Sequence, residues 1–195
     1  LGDIIETFWC GLVNGQWMNR SSVLYGPFSF VWGLGAVVLT ITLQRLAQRD
    51  SFFVFAAGFV IGGSYEYLCS VFTEWVFGTV FWDYSHMPLN IGGRTNVLFC
   101  FFWGVLAVVW IKGVYPFMSR AIEKIPALAG KAATWAVVLV MMCNGLLTCA
   151  AMLRYSARPL QPEPANNFEA FLDRQYDDRY VEHRWPNMIV TDKSE

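Results

Sequence analysis

Between Phe28 and Leu153 the chain carries apolar stretches of the length that a lipid bilayer demands of its helices. A hydrocarbon core takes about 20 apolar residues per helix. Phe28 to Leu43 (extended by Leu46), Val97 to Phe117 (interrupted by Lys112) and Thr134 to Leu153 meet that demand. Ser51 to about Phe77 is as long but holds Glu66 and Glu74. The opening Ile4 to Val13 is too short to span alone, so Leu1 is expected to fall partway into a first helix. It does not read as a signal peptide, because Asp3 and Glu6 stand where the apolar region would be and no basic stretch precedes them. The expected fold is all-α: a polytopic membrane helix bundle of about five transmembrane helices, the first incomplete at Leu1, with a short polar C-terminal helix.

Composition explains why lipid must be part of the solvent. The 195 residues are 55% hydrophobic and 15% charged, against about 25% charged in a typical soluble domain. With 14 Lys+Arg against 15 Asp+Glu, there is no basic face for nucleic acid. Cys10, Cys69, Cys100, Cys143 and Cys149 all lie in apolar stretches, which points to small packing residues rather than a disulfide framework or a metal site. No metal and no cofactor is expected.

If the spans alternate, one side receives Arg45, Arg49, Lys112, Arg120, Lys124 and Lys131, and the other receives Arg20 and Arg94. The basic excess places the 44–50 and 112–131 links in the cytoplasm. The polar loops 14–27 and 78–96, and the tail from Arg154, then face outward from an inner (plasma) membrane. The 118–131 link suits a short surface helix that Pro126 must kink or end. The division expected is a transmembrane domain over 1–153 and a polar tail over 154–195. In that tail Asn166 or Asn167 can cap a helix from about Phe168 to Tyr180, with Phe168, Phe171, Leu172 and Tyr176 on one stripe. Its charge reads most simply as that of a solvated appendage.

Ionisable residues inside a bilayer tend to face a protein interior and mark function. Glu66, Ser70 and Glu74 form one polar stripe on an otherwise apolar helix. The densest polar run is Trp82 to Arg94, which packs Asp83, Tyr84, Ser85, His86, Asn90 and Arg94 around Pro88 and Gly92-Gly93. A second polar element is Asn19 to Pro27. Arg20 and Arg94 are the cations available to Glu6, Glu66, Glu74 and Asp83. Surplus carboxylate in such a cluster suits proton or cation handling. The competing reading is a set of salt bridges that ties helices together. Asp83 and His86 at i, i+3 are no basis for a metal site.

These two loops also carry a resemblance. Glu6, Asn19-Arg20-x-x-x-Leu24-Tyr25-Gly26-Pro27 and Gly33-x-Gly35 are followed by Glu66, Glu74 and Trp82-Asp83-Tyr84-Ser85. Pro88, Asn90, Gly93-Arg94 and a late Trp185-Pro186-Asn187-Met188 complete the pattern. The chain so resembles the bacterial multi-pass ABC-transporter permease family, also called CmpB-like or type IV. The resemblance implies an inner-membrane transport component. The residues hold no GxxxxGK[ST], so an ATPase is expected on a separate chain.

The leading functional expectation is a transport component for a small polar or cationic solute, with Glu6, Arg20, Glu66, Glu74, Asp83, Tyr84, Ser85, His86, Asn90 and Arg94 as candidate ligand or ion contacts. So few spans require a homo-oligomer or a partner to complete a pathway. Two alternatives stay open. One is an intramembrane enzyme on a lipid-linked substrate, with Asp83, His86 or a Glu as general base and Arg20 and Arg94 gripping an anion. The other is a structural or assembly subunit.

Overall fold

The computed structural model describes residues 2–13, 15 and 17–191. The described chain is predominantly helical. Its helices are α1 (Gly2–Val13), α2 (Phe30–Leu43), α3 (Ser51–Phe77), α4 (Val97–Val109), α5 (Tyr115–Ile122), α6 (Ala127–Ala157), α7 (Asn167–Gln175) and α8 (Asp178–Arg184). Strands β1 (Thr79–Val80), β2 (Asn90–Ile91), β3 (Thr95–Asn96) and β4 (Ile189–Val190) have two residues each. Among the described residues, three helical stretches are long and apolar enough to cross a membrane: Ser51–Phe77, Val97–Ile122 and Ala127–Ala157. Phe30–Leu46 is a shorter apolar helix, closed by a 3-10 turn over Gln44–Leu46. The all-α membrane fold is thus as expected.

Local chemistry sets the helix limits. Asn96 is extended and accepts a bond from Leu98 N at 2.7 Å, which starts α4. Asp50 accepts from Phe52 N at 2.8 Å where α3 begins. Lys112 does not interrupt its helix: Val97 to Ile122 is continuous through a π-helical stretch at Trp110–Val114, and the ammonium leaves sideways to donate to Arg49 O at 2.6 Å. The 118–131 link is not a separate short helix: α5 ends at Ile122, α6 begins at Ala127, and Pro126 stands just before α6 with its carbonyl accepting from Gly130 N at 2.9 Å.

The chain divides into two compact units: one of residues Leu1–Phe30, Phe72–Trp82 and Leu139–Glu195, the other of Val31–Val71 and Asp83–Val138. In the second unit Leu39, Leu43, Val54, Ala107 and Ile111 form the core. Here α3 and α4 meet through glycines. A Cβ on Gly62 would strike Trp103, one on Gly58 would strike Ala107, and one on Gly104 would lie 2.7 Å from Phe55 Cε2. Small residues at this spacing let two backbones approach closely.

In the first unit the tail is not the solvated appendage its charge suggested. Leu172, Tyr176, Val181 and Trp185 are buried in one core with Leu24, Ala151 and Met152. The expected single helix over 168–180 is broken in two. Tyr176 leaves helical geometry and Asp177 caps α8 by accepting from Tyr180 N at 2.8 Å. Asn166 caps α7 and Glu169 reaches back to Ala165 N at 2.9 Å. Arg154, buried at the end of α6, donates to Asp173 at 2.7 Å and to Gln161 O and Pro162 O. Arg158 adds bonds to Asp173 and to Tyr176 O. Farther on, β4 pairs antiparallel with β1. Arg154, Arg158, Glu169, Asp173 and Asp178 spend their charges on one another within the unit. The cysteines divide: Cys10 and Cys100 are buried as expected of packing residues, but Cys143 and Cys149 lie exposed on α6.

Two predictions follow from this packing. Gly62→Ala should destabilise by about 1–3 kcal/mol, the usual cost of overpacking, while Gly33→Ala, with nothing within 4 Å of its added Cβ, should leave the thermal midpoint unchanged or raise it. The hydrogen bond from Arg154, aided by Arg158, holds the Asp173 carboxyl below its ordinary pKa against the opposing effect of burial. A lowered folded-state pKa gives stability that is present above the unfolded value of about 3.9 and lost as pH falls through the folded one. Hydrogen-exchange protection of α7 and α8, corrected for intrinsic rates, should therefore persist to about pH 4 and fail below it, whereas Asp173→Asn should lose it at neutral pH.

Candidate functional site

The second unit builds its polar centre from the middle of α3 and the loop after it. Glu66 and Ser70 lie one helical turn apart and are both buried, at 9% and 1% exposure. Glu66 Oε1 accepts from the Tyr84 hydroxyl at 2.9 Å, and Oε2 accepts from the Thr95 hydroxyl at 2.9 Å. Arg94 donates to Ser70 Oγ at 3.2 Å and lies over the Tyr67 ring, 6.0 Å from its centroid. The buried carboxylate thus receives a bond on each oxygen, and a guanidinium reaches the serine one turn along the same helix.

The loop holds these groups in place with its own side chains. β2 and β3 pair antiparallel around Gly92-Gly93, both with positive φ. A Cβ on Gly93 would meet Ser85 Oγ at 2.5 Å and Asp83 Oδ1 at 2.8 Å, so the close approach of this turn requires glycine. Asn90 donates to Met87 O at 2.7 Å and accepts from Gly93 N at 2.9 Å. Asn96 donates to Pro88 O at 2.8 Å. Tyr84 stacks on Phe99 with centroids 4.5 Å apart, which directs its hydroxyl toward α3. Asp83 and Ser85 are exposed and bond each other at 2.5 Å. The Ser85 hydroxyl and N–H hold the Asp83 carboxyl below its ordinary pKa. His86 is exposed.

The first unit holds the remaining candidates. Arg20 donates to Glu6 Oε1 through both Nε, at 2.8 Å, and Nη2, two charge-assisted bonds onto one oxygen with both side chains partly buried. Glu74, half-buried, belongs to this unit with the last turns of α3. Of the two arginines and four acids considered as one set, Glu6 accepts from Arg20, Glu66 accepts from Tyr84 and Thr95, Asp83 accepts from Ser85, and Arg94 donates to Ser70. Among the described residues no group of three His, Cys, Asp or Glu side chains is placed to hold a metal ion.

The 21–26 backbone is the best-supported polar element of the first unit, and sequence reasoning missed its partners. Leu24 N donates to the Thr148 hydroxyl at 3.0 Å, and Tyr25 N to Asn144 Oδ1 at 3.2 Å. Arg184 donates to Val23 O, Gly26 O and Ser21 Oγ, and Trp185 Nε1 to Ser21 O at 2.9 Å. Burial and the bond with the Tyr25 hydroxyl push the Tyr176 phenol well above its usual range. Asn144 and Thr148 looked like ordinary members of an apolar run, and Thr95 fell between the polar run ending at Arg94 and the apolar one starting at Val97. A visible signal was the i, i+4 spacing of Asn144 and Thr148 on an otherwise apolar face. Asp3 was also missed: it is buried, and its Oδ1 has no hydrogen-bond partner among the described residues.

Comparison with known families fits this picture of a membrane chain with two ordered polar loops. The model of the family described as "Putative ABC-transporter type IV" matches residues 1–149. The chain belongs to that family. The match to the type IV family includes α1 to α5, the Glu66 centre and both polar loops, and ends before Arg154 and the docked tail. No curated protein and no solved structure matches the chain.

The Glu66 geometry makes a direct prediction. Thr95→Val and Tyr84→Phe should each cost about 1–3 kcal/mol, because each strips a bond from a buried carboxyl group. Asp83→Asn, at an exposed position, should change the thermal midpoint little. Thermal unfolding in detergent or nanodiscs reads all three.

Proposed function

We propose that this chain is the membrane-embedded component of a transporter for a small polar or cationic solute, with Glu66 as its intramembrane contact. The observation that carries the reading is a carboxylate buried within a span-length helix, with hydroxyl groups on both its oxygens. A charged residue at the bilayer centre costs about 2.5–3.5 kcal/mol on insertion scales, and such residues concentrate on substrate and ion pathways. Membership of an ABC-transporter family supports the same reading. Tyr84 and Arg94 share the centre with Glu66, while Asp83, Ser85, His86 and Asn90 belong to the loop that covers it. Glu6, Arg20 and Glu74 are proposed as a second set of contacts for the solute.

In this reading residues 1–153 are the membrane domain and 154–195 a folded C-terminal extension. The basic excess of the 44–50 and 112–131 links sets the orientation in an inner membrane, with loops 14–27 and 78–96 and the tail outward. An ATPase subunit supplies the energy, and a second copy or that partner completes the pathway.

The test compares uptake of a panel of labelled small cations and polar solutes by cells carrying the wild-type chain and Glu66→Gln. The reading expects a solute whose uptake needs the wild-type chain and is abolished by Glu66→Gln, while the purified variant remains folded. Uptake retained in the variant, or lost only together with the folded protein, assigns Glu66 a purely structural role.

A further inference from the structure

One end of the second unit carries cations that the fold leaves without acids. The α2–α3 link and the stretch from Lys112 to Lys131 hold Arg45, Arg49, Lys112, Arg120, Lys124 and Lys131 against only Asp50 and Glu123. Both acids are engaged locally: Asp50 accepts from Phe52 N, and Glu123 accepts from the Ser119 hydroxyl. None of the six cations forms an ion pair among the described residues. In the first unit three of the six described arginines, Arg20, Arg154 and Arg158, are ion-paired.

A cavity of about 430 Å³ opens at this end. It is lined by the apolar Ala47 and Ile111 together with Gln44, Tyr115, Ser119 and Arg120. The π-helical stretch at Trp110–Val114 adjoins it, a distortion that often accompanies functional sites. Arg120 is held at one edge, donating Nε to Pro116 O at 3.1 Å, and its two terminal nitrogens make no bond among the described residues. An exposed guanidinium with a free fork is suited to a phosphate. Beside it Phe117, Ile122, Ile125 and Leu128 are 68%, 60%, 49% and 83% exposed. Apolar side chains interleaved with cations at the end of span-length helices suit the headgroup boundary of a bilayer.

We propose that this cavity binds the phosphodiester headgroup of an anionic phospholipid, with Arg120 as its principal contact and Lys124 as a supporting charge. The lipid chains lie along the exposed apolar residues of α5 and the turn after it. A free phosphate shares the charge but has nothing to place on those residues, so the lipid is the ligand.

The test uses the purified full chain in nanodiscs of phosphatidylcholine alone and of phosphatidylcholine doped with phosphatidylglycerol. The expected result is a higher thermal midpoint and a retained phosphatidylglycerol adduct in native mass spectrometry with the doped discs, and no effect of inorganic phosphate. Arg120→Gln should weaken adduct retention about tenfold, the scale of one lost charge-assisted contact, and Arg120→Lys should weaken it less. Arg120 is exposed, so both variants should fold, and an unchanged midpoint in phosphatidylcholine checks this. Equal behaviour of the two lipids, or full retention by Arg120→Gln, overturns the proposal. So does an effect reproduced by inorganic phosphate alone, or a variant that keeps the lipid but loses a co-purifying protein subunit.

Discussion

A carboxylate in a span-length helix has to be supplied with donors from its own protein, because hydrocarbon offers none. Glu66 meets that requirement through two hydroxyl groups that arrive from beyond the end of its helix. Thr95 lies at the close of the β2–β3 hairpin and Tyr84 at the start of the same loop, so both ends of the loop are fixed on one buried group. The Gly92-Gly93 turn brings Thr95 back, the Asn96 cap starts α4 immediately afterwards, and the α3–α4 glycines let the two helices close on one another. Donor, turn, cap and helix contact follow one another along the chain around the acid at position 66.

The first unit solves the same problem for backbone rather than for a side chain. Residues 21–26 form no helix or strand, yet Val23 and Leu24 are buried. Their polar groups are met by Asn144 and Thr148 from α6 and by Arg184 and Trp185 from the tail. Irregular backbone survives in such a setting only where protein surrounds it. The tail is therefore a structural part of this unit. Arg154 and Arg158, at the end of α6, tie it down through Asp173.

Helices were legible from the sequence because the bilayer imposes a length, and a run such as Ser51 to Phe77 can be read without knowing its neighbours. The importance of Glu66 was legible for the same reason: an acid in such a run is costly. Its partners were not, since Thr95 differs from any other threonine only through a hairpin whose register depends on Gly92-Gly93. The tail was misread because composition counts charges without showing which are paired. Arg154 with Asp173 and Arg184 with the Val23 carbonyl consume charges that looked solvated, and Leu172, Tyr176 and Trp185 are buried beside them.

The most direct test of the account is a double-mutant cycle between Glu66→Gln and Thr95→Val, read as thermodynamic stability in nanodiscs. Residues that share one buried bond should show a coupling energy of about 0.5–3 kcal/mol. That coupling is the predicted result. Strictly additive effects would mean that Thr95 does not hold Glu66 in the folded membrane protein, and would contradict the arrangement on which the rest of this unit is built.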